Sequence, residues 1–362
     1  MGHTMPIIAI ARELKTAQSN IAVHYIGPKD DCALISKEDF KTHAVAGGKI
    51  RRYFSLSNIT DIVFKIPFSF LQSFFLLLFI RPKLVFSKGG TGSLPATYCA
   101  RILRIPVFIH ESDTVPGKSN KISSKWAKKI FTSFEKTAYF NPSKTILVGN
   151  PIKGGLLDGN EQSAKEIFHL NSQKPVILIL GGSQGSQPVN NFILSILELL
   201  LERYELIHIC GKKNYSQVLK QSKAILGPDA SRLEGYYHIL EFLDETSLKH
   251  ALKIASFIVS RAGSGSIFEI AASGKPGILI PLPSSANDHQ SKNAYAYAKT
   301  GSAMVLEQES INPNYFLEKV DYFISNAKAW EDMKNNALKF AKPEAAKIIA
   351  KEIMDYLIYE KK

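Results

Sequence analysis

The chain has 362 residues, of which 45% are hydrophobic and 21% are charged, and this length and composition predict a globular protein with two domains. Its three cysteines are widely spaced, without CxxC or Cys/His clustering, which favours a reducing compartment and disfavours a structural zinc site. The formal net charge of +13 suits an anionic membrane or anionic small substrates. Nucleic acid is not predicted as a partner, because the sequence contains no RNP-type aromatic motif, zinc finger or long basic helix.

Strand-like and helix-like runs alternate along most of the chain, a pattern typical of parallel sheets with crossover helices. In the first half, helices are predicted over residues 6–16, 58–79, 93–103 and 117–126. Strands are predicted over residues 21–26, 84–87, 106–110, 129–132 and 145–148. Doubly wound domains usually open with a strand that leads into a glycine turn, but here a helix comes first. We therefore expect either a start further upstream or a first domain that lacks its central strand.

The segment 62–80, IVFKIPFSFLQSFFLLLFI, is strongly apolar and is flanked by arginine and lysine residues. A membrane-spanning helix is one interpretation, but Lys65, Pro67 and Gln72 interrupt the segment. The alternatives are a buried connecting helix and a helix that lies on an anionic bilayer surface. We favour a helix that combines these last two roles.

The alternating pattern restarts after a polar connection that extends to about residue 174. Strands are predicted over residues 176–180, 205–210, 237–241, 257–260 and 277–281. Helices are predicted between them, including one over 188–201, and closing helices over 331–340 and 344–359. We expect an α/β protein with Rossmann-like domains over 1–152 and 153–340, and a helix in 341–362 that packs back on the first domain. Ligands of such domains bind at the carboxyl ends of the strands, here in the cleft between the domains.

The segment 175–186, PVILILGGSQGS, predicts a strand, then a glycine turn, then the start of a helix. Glycines let a backbone approach an anion closely, and the N–H groups at a helix N-terminus favour phosphate. The same letters match the GxSxG elbow of serine hydrolases, for which Ser183, Asp244 and His289 would form the triad. Nothing singles out the loops of the last two, so hydrolysis is not favoured. No Walker A pattern is present, which excludes a P-loop.

A second glycine turn, RAGSGS, follows the strand 257–260 and leads into a helix that carries Glu269. A carboxylate there can accept two hydrogen bonds from ribose hydroxyls, or it simply favours the helix dipole. The loop with Asp288, His289 and Gln290 offers polar side chains that can bind sugar hydroxyls, although alone it is an ordinary polar loop.

Two motifs of the first half also follow strands. SKGGTGS at 87–93 could hold a second anion. HESD at 110–113 could suggest a metal or acid–base chemistry, but neighbouring side chains on an irregular segment need not converge. The chain has no Asp-x-Asp motif, which weakens a metal-held nucleotide diphosphate.

Taken together, GH, SKGG, HESD, GNP, GGSQGS, RAGSGS and DHQ stand in one collinear order from residue 2 to about residue 350. In this the chain resembles the MurG family, the bacterial undecaprenyl-pyrophosphoryl-muramoylpentapeptide β-N-acetylglucosaminyltransferases of glycosyltransferase family 28. The resemblance implies a GT-B fold of two Rossmann-like domains facing across a cleft. It implies inverting transfer of GlcNAc from UDP-GlcNAc to the muramyl O4 of lipid I, which gives lipid II, with no metal or other cofactor required.

The resemblance further implies a peripheral protein on the cytoplasmic side of the bacterial cell membrane. Its partners would be UDP-GlcNAc, lipid I and an anionic membrane surface, together with proteins of cell-wall synthesis or division. The donor site would lie in the second domain and comprise Lys153, Ser183, Gln184, Leu243, Ser264, Gly265, Ser266, Ile267, Phe268, Glu269 and Gln290. Within it, Ser183 would contact the diphosphate, Leu243 the uracil, Glu269 the ribose and Gln290 the GlcNAc hydroxyls.

On the acceptor side, the resemblance implies roles for Gly2, Gly89, Gly90, Glu111 and Asp113. His3 would be the catalytic base or the organiser of the acceptor.

Several positions depart from the family pattern. The N-terminal glycine loop is reduced to Gly2 and His3, Lys153 replaces a common arginine, Asp113 replaces a common asparagine, and Thr91 replaces a common aromatic residue. A lysine gives a point charge in place of a guanidinium fork. Two alternatives therefore stay open: a related enzyme that glycosylates another lipid such as diacylglycerol, and an inactive protein that binds UDP-sugar or membrane.

Overall fold

The computed structural model describes residues 4–36, 38, 40–46, 65–90, 92–135, 139–170, 172–182 and 184–359. The chain divides into two compact units. Unit 1 comprises Met1–Ile152 together with Lys342–Lys362, and unit 2 comprises Lys153–Ala341.

The strands of unit 1 form parallel sheets with helices between them. Its first strands pair in a two-stranded sheet of order β1-β2, and the next four form a sheet of order β3-β4-β5-β6. The strands are β1 His24–Gly27, β2 Lys41–Ala44, β3 Val85–Ser87, β4 Val107–Glu111, β5 Lys129–Thr132 and β6 Thr145–Leu147. The helices are α1 Thr4–Ala17, α2 Lys29–Ile35, α3 Ile66–Ile80, α4 Ser93–Ile102 and α5 Lys118–Ser123, with a 3-10 turn at Pro142–Lys144.

Unit 2 contains a six-stranded parallel sheet of order β12-β11-β10-β7-β8-β9. Its strands are β7 Val176–Leu180, β8 Glu205–Ile209, β9 Tyr237–Leu240, β10 Phe257–Ser260, β11 Gly277–Leu279 and β12 Met304–Val305. Its helices are α6 Glu161–Phe168, α7 Gln187–Ser195, α8 Leu197–Arg203, α9 Tyr215–Ile225, α10 Glu245–Ile254, α11 Ser264–Ser273, α12 His289–Ala298, α13 Pro313–Ser325 and α14 Ala327–Phe340. Because β8 follows β7 on one side and β10 lies on its other side, the strand order reverses at β7, and ligands of doubly wound folds bind at such a point.

The last helix, α15 Ala345–Tyr359, belongs to unit 1, where it packs on α1. Ile349 and Ile353 of α15 enter the same buried cluster as Ile10 of α1 and the sheet residues Phe108 and Phe131. The chain end therefore helps to form the core of the unit in which the chain begins.

The predicted alternation of strands and helices is confirmed, with differences at particular elements. The predicted helix over 188–201 is two helices, because Ile196 leaves helical geometry at φ −124° and ψ 18°. Helices α2, α6, α12 and α13 and strands β2 and β12 are not among the predicted elements, and α6 lies in the segment predicted to be a polar connection. The part of the predicted helix 58–79 before residue 65 lies outside the described residues.

Helix α3 packs on α4 and exposes several large apolar side chains on its other side. Its buried residues are Ser69, Ser73 and Leu77, one turn apart, and Phe70 and Phe74 pack against the same core cluster as Leu77. Phe75 and Phe79 on the other side are 46% and 79% exposed. Small side chains permit a close helix–helix approach, and several of the larger apolar ones are left facing outward. Within the described ranges, no helix is both long enough and apolar enough to cross a membrane.

Candidate functional site

The glycine turn after β7 packs against the turn after β8. Gly182 and Gly185 have φ values of 84° and 76°, and Gly211 in the facing turn has 91°. A Cβ on Gly185 would lie 2.2 Å from the carbonyl oxygen of Cys210, so only glycine fits there. The turn therefore follows a path that its neighbours define, and it leads into the N-terminus of α7. Ser183, the predicted diphosphate contact, lies outside the described residues, and Gln184 is exposed.

A row of buried, hydrogen-bonded side chains packs beneath the glycine turn after β7. Asn190 of α7 donates to the carbonyl of Cys210 at 3.0 Å, and its Oδ1 lies 3.0 Å from Nε2 of His208. Nδ1 of His208 in turn lies 2.7 Å from the hydroxyl of Tyr237. Burial lowers the pKa of His208 to about 3, so this histidine is neutral and acts as a structural hydrogen-bonding group.

Arg261 connects the two glycine turns of unit 2, a role that its sequence motif does not predict. It follows β10 and is only 5% exposed. Its Nη2 donates to Ser186 Oγ at 2.6 Å and to Gln308, while Nη1 donates to the carbonyls of Ile280 and Pro281 at 3.0 and 2.9 Å. Burial lowers the pKa of Arg261 to about 10, which leaves the guanidinium charged at neutral pH. A fixed positive charge therefore lies beside the turn after β7.

The second glycine turn opens helix α11. Gly263 is its N-cap, and the predicted residues Ser264, Gly265 and Ser266 form the first turn, where the backbone N–H groups lie at the positive end of the helix dipole. The side chains of Ile267 and Phe268, both predicted site residues, are instead buried in the core. Any contact of these last two with a ligand is therefore limited to their backbone.

Glu269 lies one turn into α11 and is half-buried. Burial of its carboxyl raises its pKa to about 7, the nearby charge of Lys153 lowers it, and Glu245 raises it further. Lys153 also lowers the pKa of Asp244 to a smaller degree than the hydrogen bonds from Ser247 do. Lys153 and Glu269, each predicted separately as a donor-site residue, therefore interact electrostatically.

Two further predicted residues follow other strands of unit 2. Leu243 comes after β9 and is buried, whereas its neighbour Phe242 is 50% exposed. Oε1 of Gln290 accepts a hydrogen bond from the N–H of Leu282 at 3.0 Å, which leaves its amide group to act as a donor. Asn287, in the loop before Gln290, has a left-handed φ of 55°, a strained conformation for a non-glycine residue.

The hydrolase alternative receives no support from these loops. Asp244 is the N-cap of α10, where its Oδ1 accepts from the N–H of Ser247 at 2.7 Å. Nδ1 of His289 lies 2.7 Å from the carbonyl of Ala286. Both side chains therefore have local structural partners.

In unit 1, Glu111 fixes the turn that follows β4. Its carboxylate accepts from the N–H of Asp113 at 3.1 Å, the N–H of Gly117 at 3.0 Å and the side-chain amide of Asn120 at 2.9 Å. A Cβ on Gly89 would lie 2.8 Å from that same amide, and Gly89 has a φ of 84°. The predicted acceptor residues Gly89, Glu111 and Asp113 thus belong to one connected cluster, which Gly90 joins by accepting from Ser119 Oγ at 2.8 Å.

Lys88 and His110 are buried in this cluster and hold the segment after β6. Nζ of Lys88 donates to Oδ1 of Asn150 at 2.9 Å, and Nε2 of His110 lies 2.9 Å from the carbonyl of Gly149. Burial lowers the pKa of Lys88 to about 8 against the opposing effect of Asp113 and Glu111. Burial also lowers the pKa of His110 well below its usual value, so the ring is neutral and Nε2 donates.

No group of three or more potential metal ligands occurs among the residues that the structure describes. Gly2 and His3, the remaining predicted acceptor-side residues, lie outside those residues.

Comparison with known proteins now identifies the family. The model of the glycosyltransferase family 28 N-terminal domain matches residues 1–132, and that of the family 28 C-terminal domain matches residues 176–352. The chain belongs to glycosyltransferase family 28. Family 28 relatives include a protein of Clostridium tetani that is 37% identical over 93% of this chain and 91% of its own length. Another, from Bacillus thuringiensis, is 36% identical over 93% of this chain and 92% of its own length. Both are named UDP-N-acetylglucosamine–N-acetylmuramyl-(pentapeptide) pyrophosphoryl-undecaprenol N-acetylglucosamine transferase.

The fold agrees with family 28. The crystal structure of Acinetobacter baumannii MurG has a TM-score of 0.73 at 23% identity and covers 98% of this chain and 96% of its own. A UDP-GlcNAc 2-epimerase from Neisseria meningitidis has a TM-score of 0.71 at 15% identity, covering 98% of this chain and 97% of its own. The predicted GT-B class is confirmed, and the chain is a glycosyltransferase.

Proposed function

We propose that this chain transfers GlcNAc from UDP-GlcNAc to the muramyl O4 of lipid I, which gives lipid II and UDP with inversion. The observation that carries the proposal is the pair of glycine turns at the strand-order reversal of unit 2, joined by buried Arg261, in a chain of family 28. The leaving group of this reaction is a diphosphate, and positive potential fixed in advance lowers the cost of its developing charge.

In unit 2 the donor diphosphate would lie against the turn after β7 and the N-terminus of α7. The free N–H groups of a helix start and the guanidinium of Arg261 supply positive potential there. The N–H groups of Gly265 and Ser266 would face the nucleotide, Phe242 and Leu243 the uracil, and the amide of Gln290 the GlcNAc hydroxyls. Lys153 would add a cation beside Glu269.

Glu269 would accept hydrogen bonds from both ribose hydroxyls, which requires its ionised form. We therefore expect Glu269→Gln to raise KM for UDP-GlcNAc at pH 8 by about 10-fold to 100-fold, because hydrogen bonds to a charged group are lost. In the unsubstituted protein, KM should fall as the pH rises through about 7, where the carboxyl ionises. Initial rates at varied UDP-GlcNAc and saturating acceptor measure both effects.

The same substitution should stabilise the fold. The folded state binds the Glu269 proton more tightly than the unfolded chain, so this residue costs stability as the pH rises from about 4.5 to about 7. Glu269→Gln should then raise the free energy of unfolding at pH 8 by about 1–2 kcal/mol, less than the full shift because the carboxyl keeps some solvent contact, and should change nothing at pH 4. Exposed Glu234→Gln is the control. An unchanged KM in Glu269→Gln would remove Glu269 from the donor site.

Lipid I would bind to unit 1. Its pyrophosphate would face the turn that contains Gly89 and Gly90, and Asp113 would approach the acceptor while Glu111 holds the turn in shape. Inverting transfer needs a base near the attacking hydroxyl, and we assign that role to His3.

We further propose that unit 1 binds the surface of an anionic membrane on the cytoplasmic side, where lipid I would be reached. The exposed side of α3 carries Phe68, Leu71, Phe75, Leu78 and Phe79. On neighbouring α4, Ile102 is 56% exposed beside the exposed cations Arg101 and Arg104. An apolar face rimmed by cations binds anionic bilayers by burial and by electrostatic attraction.

An acceptor competition tests the function directly. UDP-GlcNAc is supplied with lipid I and diacylglycerol together, in buffer with and without EDTA, and the products are identified by mass. We expect disaccharide product from lipid I alone, in both buffers. Glycosylated diacylglycerol would show a related enzyme instead. Calorimetric UDP binding with neither product would show a UDP-sugar-binding protein without activity.

A further inference from the structure

Unit 2 contains a cavity of about 650 Å³ beside the amino ends of its sheet strands, whereas the glycine turns follow their carboxyl ends. Its lining includes Val176 and Glu205, the first residues of β7 and β8, and Ser256 just before β10. The glycine turns follow the carboxyl ends of these strands, so this cavity is separate from the candidate donor site. Its volume lies within the range of cavities that bind small molecules.

The charges that line the cavity are unequal. Four lysines line it, and one of them, Lys174, donates from Nζ to the carbonyl of Leu201 at 2.7 Å. The other three, Lys165, Lys253 and Lys275, have no carboxylate partner within 4.0 Å among the described side chains. Of the lining carboxylates, Glu205 is bound by His238 at 2.8 Å and by Ser172 at 2.6 Å, and Glu331 pairs with Lys334 at 3.2 Å. Glu161 is the remaining acidic group of the lining, and its charge raises the pKa of Lys275, against the larger effect of burial.

Lys275 is the half-buried cation of the three. Its Nζ donates to the backbone carbonyl of Lys253 at 2.8 Å, which uses one of the three N–H donors of an ammonium group. Burial, together with the charge of Lys253, lowers its pKa to about 8. An anion in the cavity would raise the pKa of Lys275 again. Its oxygens would accept hydrogen bonds from the remaining N–H donors of Lys275, and its negative charge would balance the charges of the lysines.

The cavity also has an aromatic and apolar wall. Trp330 lines it and is held in place by a hydrogen bond from its Nε1 to the carbonyl of Ser256 at 2.9 Å. Pro175, Ile254 and Ile324 complete this wall. Such a lining offers apolar contact to one part of a ligand while the lysines bind another part.

We propose that this cavity is a second ligand site, for a small phosphate-bearing molecule with an apolar or ring portion. The phosphate lies among Lys165, Lys253 and Lys275, and the ring portion lies against Trp330. The site is independent of the transferase reaction and of the donor site.

Tryptophan fluorescence tests the proposal on the full chain. The sequence contains two tryptophans, so Trp126→Phe leaves Trp330 as the single reporter. The probe is inorganic pyrophosphate, titrated without UDP, because UDP also carries phosphates and rings and could enter the cavity. Trp330 lines the cavity and therefore reports binding at that site. We expect a saturable change in emission with a dissociation constant of about 0.1–1 mM, and at least about tenfold weaker binding in Lys275→Met.

Two further variants make the result decisive. Lys253→Met should weaken pyrophosphate binding to a similar degree, and it keeps the backbone carbonyl to which Lys275 donates. Lys339→Met, an exposed change on α14 away from the cavity, should leave binding unchanged. Thermal midpoint and UDP affinity report whether each variant is folded. No saturable change up to about 10 mM pyrophosphate, or equal binding in both cavity variants and the parent, would overturn the proposal.

Discussion

Replacing Arg261 by methionine is expected to lower kcat/KM for UDP-GlcNAc by about 1,000-fold or more. The substitution removes a buried positive charge beside the turn after β7 and leaves Ser186, Gln308 and two backbone carbonyls without their donor. All five N–H donors of Arg261 bind groups of the protein, so its effect on the reaction comes from its fixed charge and from the turn that it holds. Loss of such a preorganised charge beside a developing charge costs about 100-fold to 1,000-fold in turnover. The unpaired buried acceptors should also cost about 2–4 kcal/mol of stability. Steady-state kinetics, UDP calorimetry and denaturant unfolding measure the three effects.

Arg261→Lys separates charge from geometry. A lysine keeps the charge, but it cannot donate to Ser186, Ile280 and Gln308 in the fixed directions of a guanidinium fork. We expect it to recover part of the UDP affinity but little of the turnover. Arg232→Met is the control, because Arg232 is exposed and its contact with Glu202 spans 3.5 Å. If folded Arg261→Met binds UDP and turns over like the parent, the guanidinium has no part in the donor site.

The positions of the glycine turns could be predicted from sequence, but the group that joins them could not. An apolar run followed by glycines predicts a strand end and a tight turn, and both turns of unit 2 occur where predicted. The RAGSGS motif predicts no role for Arg261, because charged residues are rarely buried. Only the tertiary structure brings Ser186 and Gln308 to it, from positions 75 and 47 residues away.

The side of an apolar helix that faces the protein core is also hard to predict from sequence. Helix α3 has almost no polar stripe, so its hydrophobic pattern gives no direction toward the core. The structure buries Ser69 and Ser73, which a hydrophobicity argument would turn outward. Packing decides the orientation here, because the close contact with α4 selects small side chains. The sequence also gives no way to distinguish two neighbouring phenylalanines: Phe74 packs against a buried cluster, whereas Phe75 is exposed.

Replacing Phe68, Phe75 and Phe79 together by serine is expected to abolish membrane binding and to leave the fold intact. Each of these side chains is about half exposed or more, so the substitutions remove little buried contact within the protein. Inserting an exposed phenylalanine into a bilayer gains about 1.5–3 kcal/mol, so the triple variant should bind vesicles at least about 100-fold more weakly. Co-sedimentation with phosphatidylcholine vesicles, with and without phosphatidylglycerol, measures the effect.

Two control variants test this membrane surface: one removes exposed aromatic rings from unit 2, and the other removes a partly buried ring from α3. Tyr315→Ser with Tyr322→Ser removes aromatic rings of similar exposure from unit 2 and should leave vesicle binding unchanged. Phe74→Ser should instead lower the free energy of unfolding, by about 2–4 kcal/mol, because it creates a cavity beside Leu77. Binding by the parent should also weaken as salt rises and screens Arg101 and Arg104. A folded triple variant that binds anionic vesicles as tightly as the parent would contradict the proposal. The apolar face of α3 would then serve a contact other than the membrane.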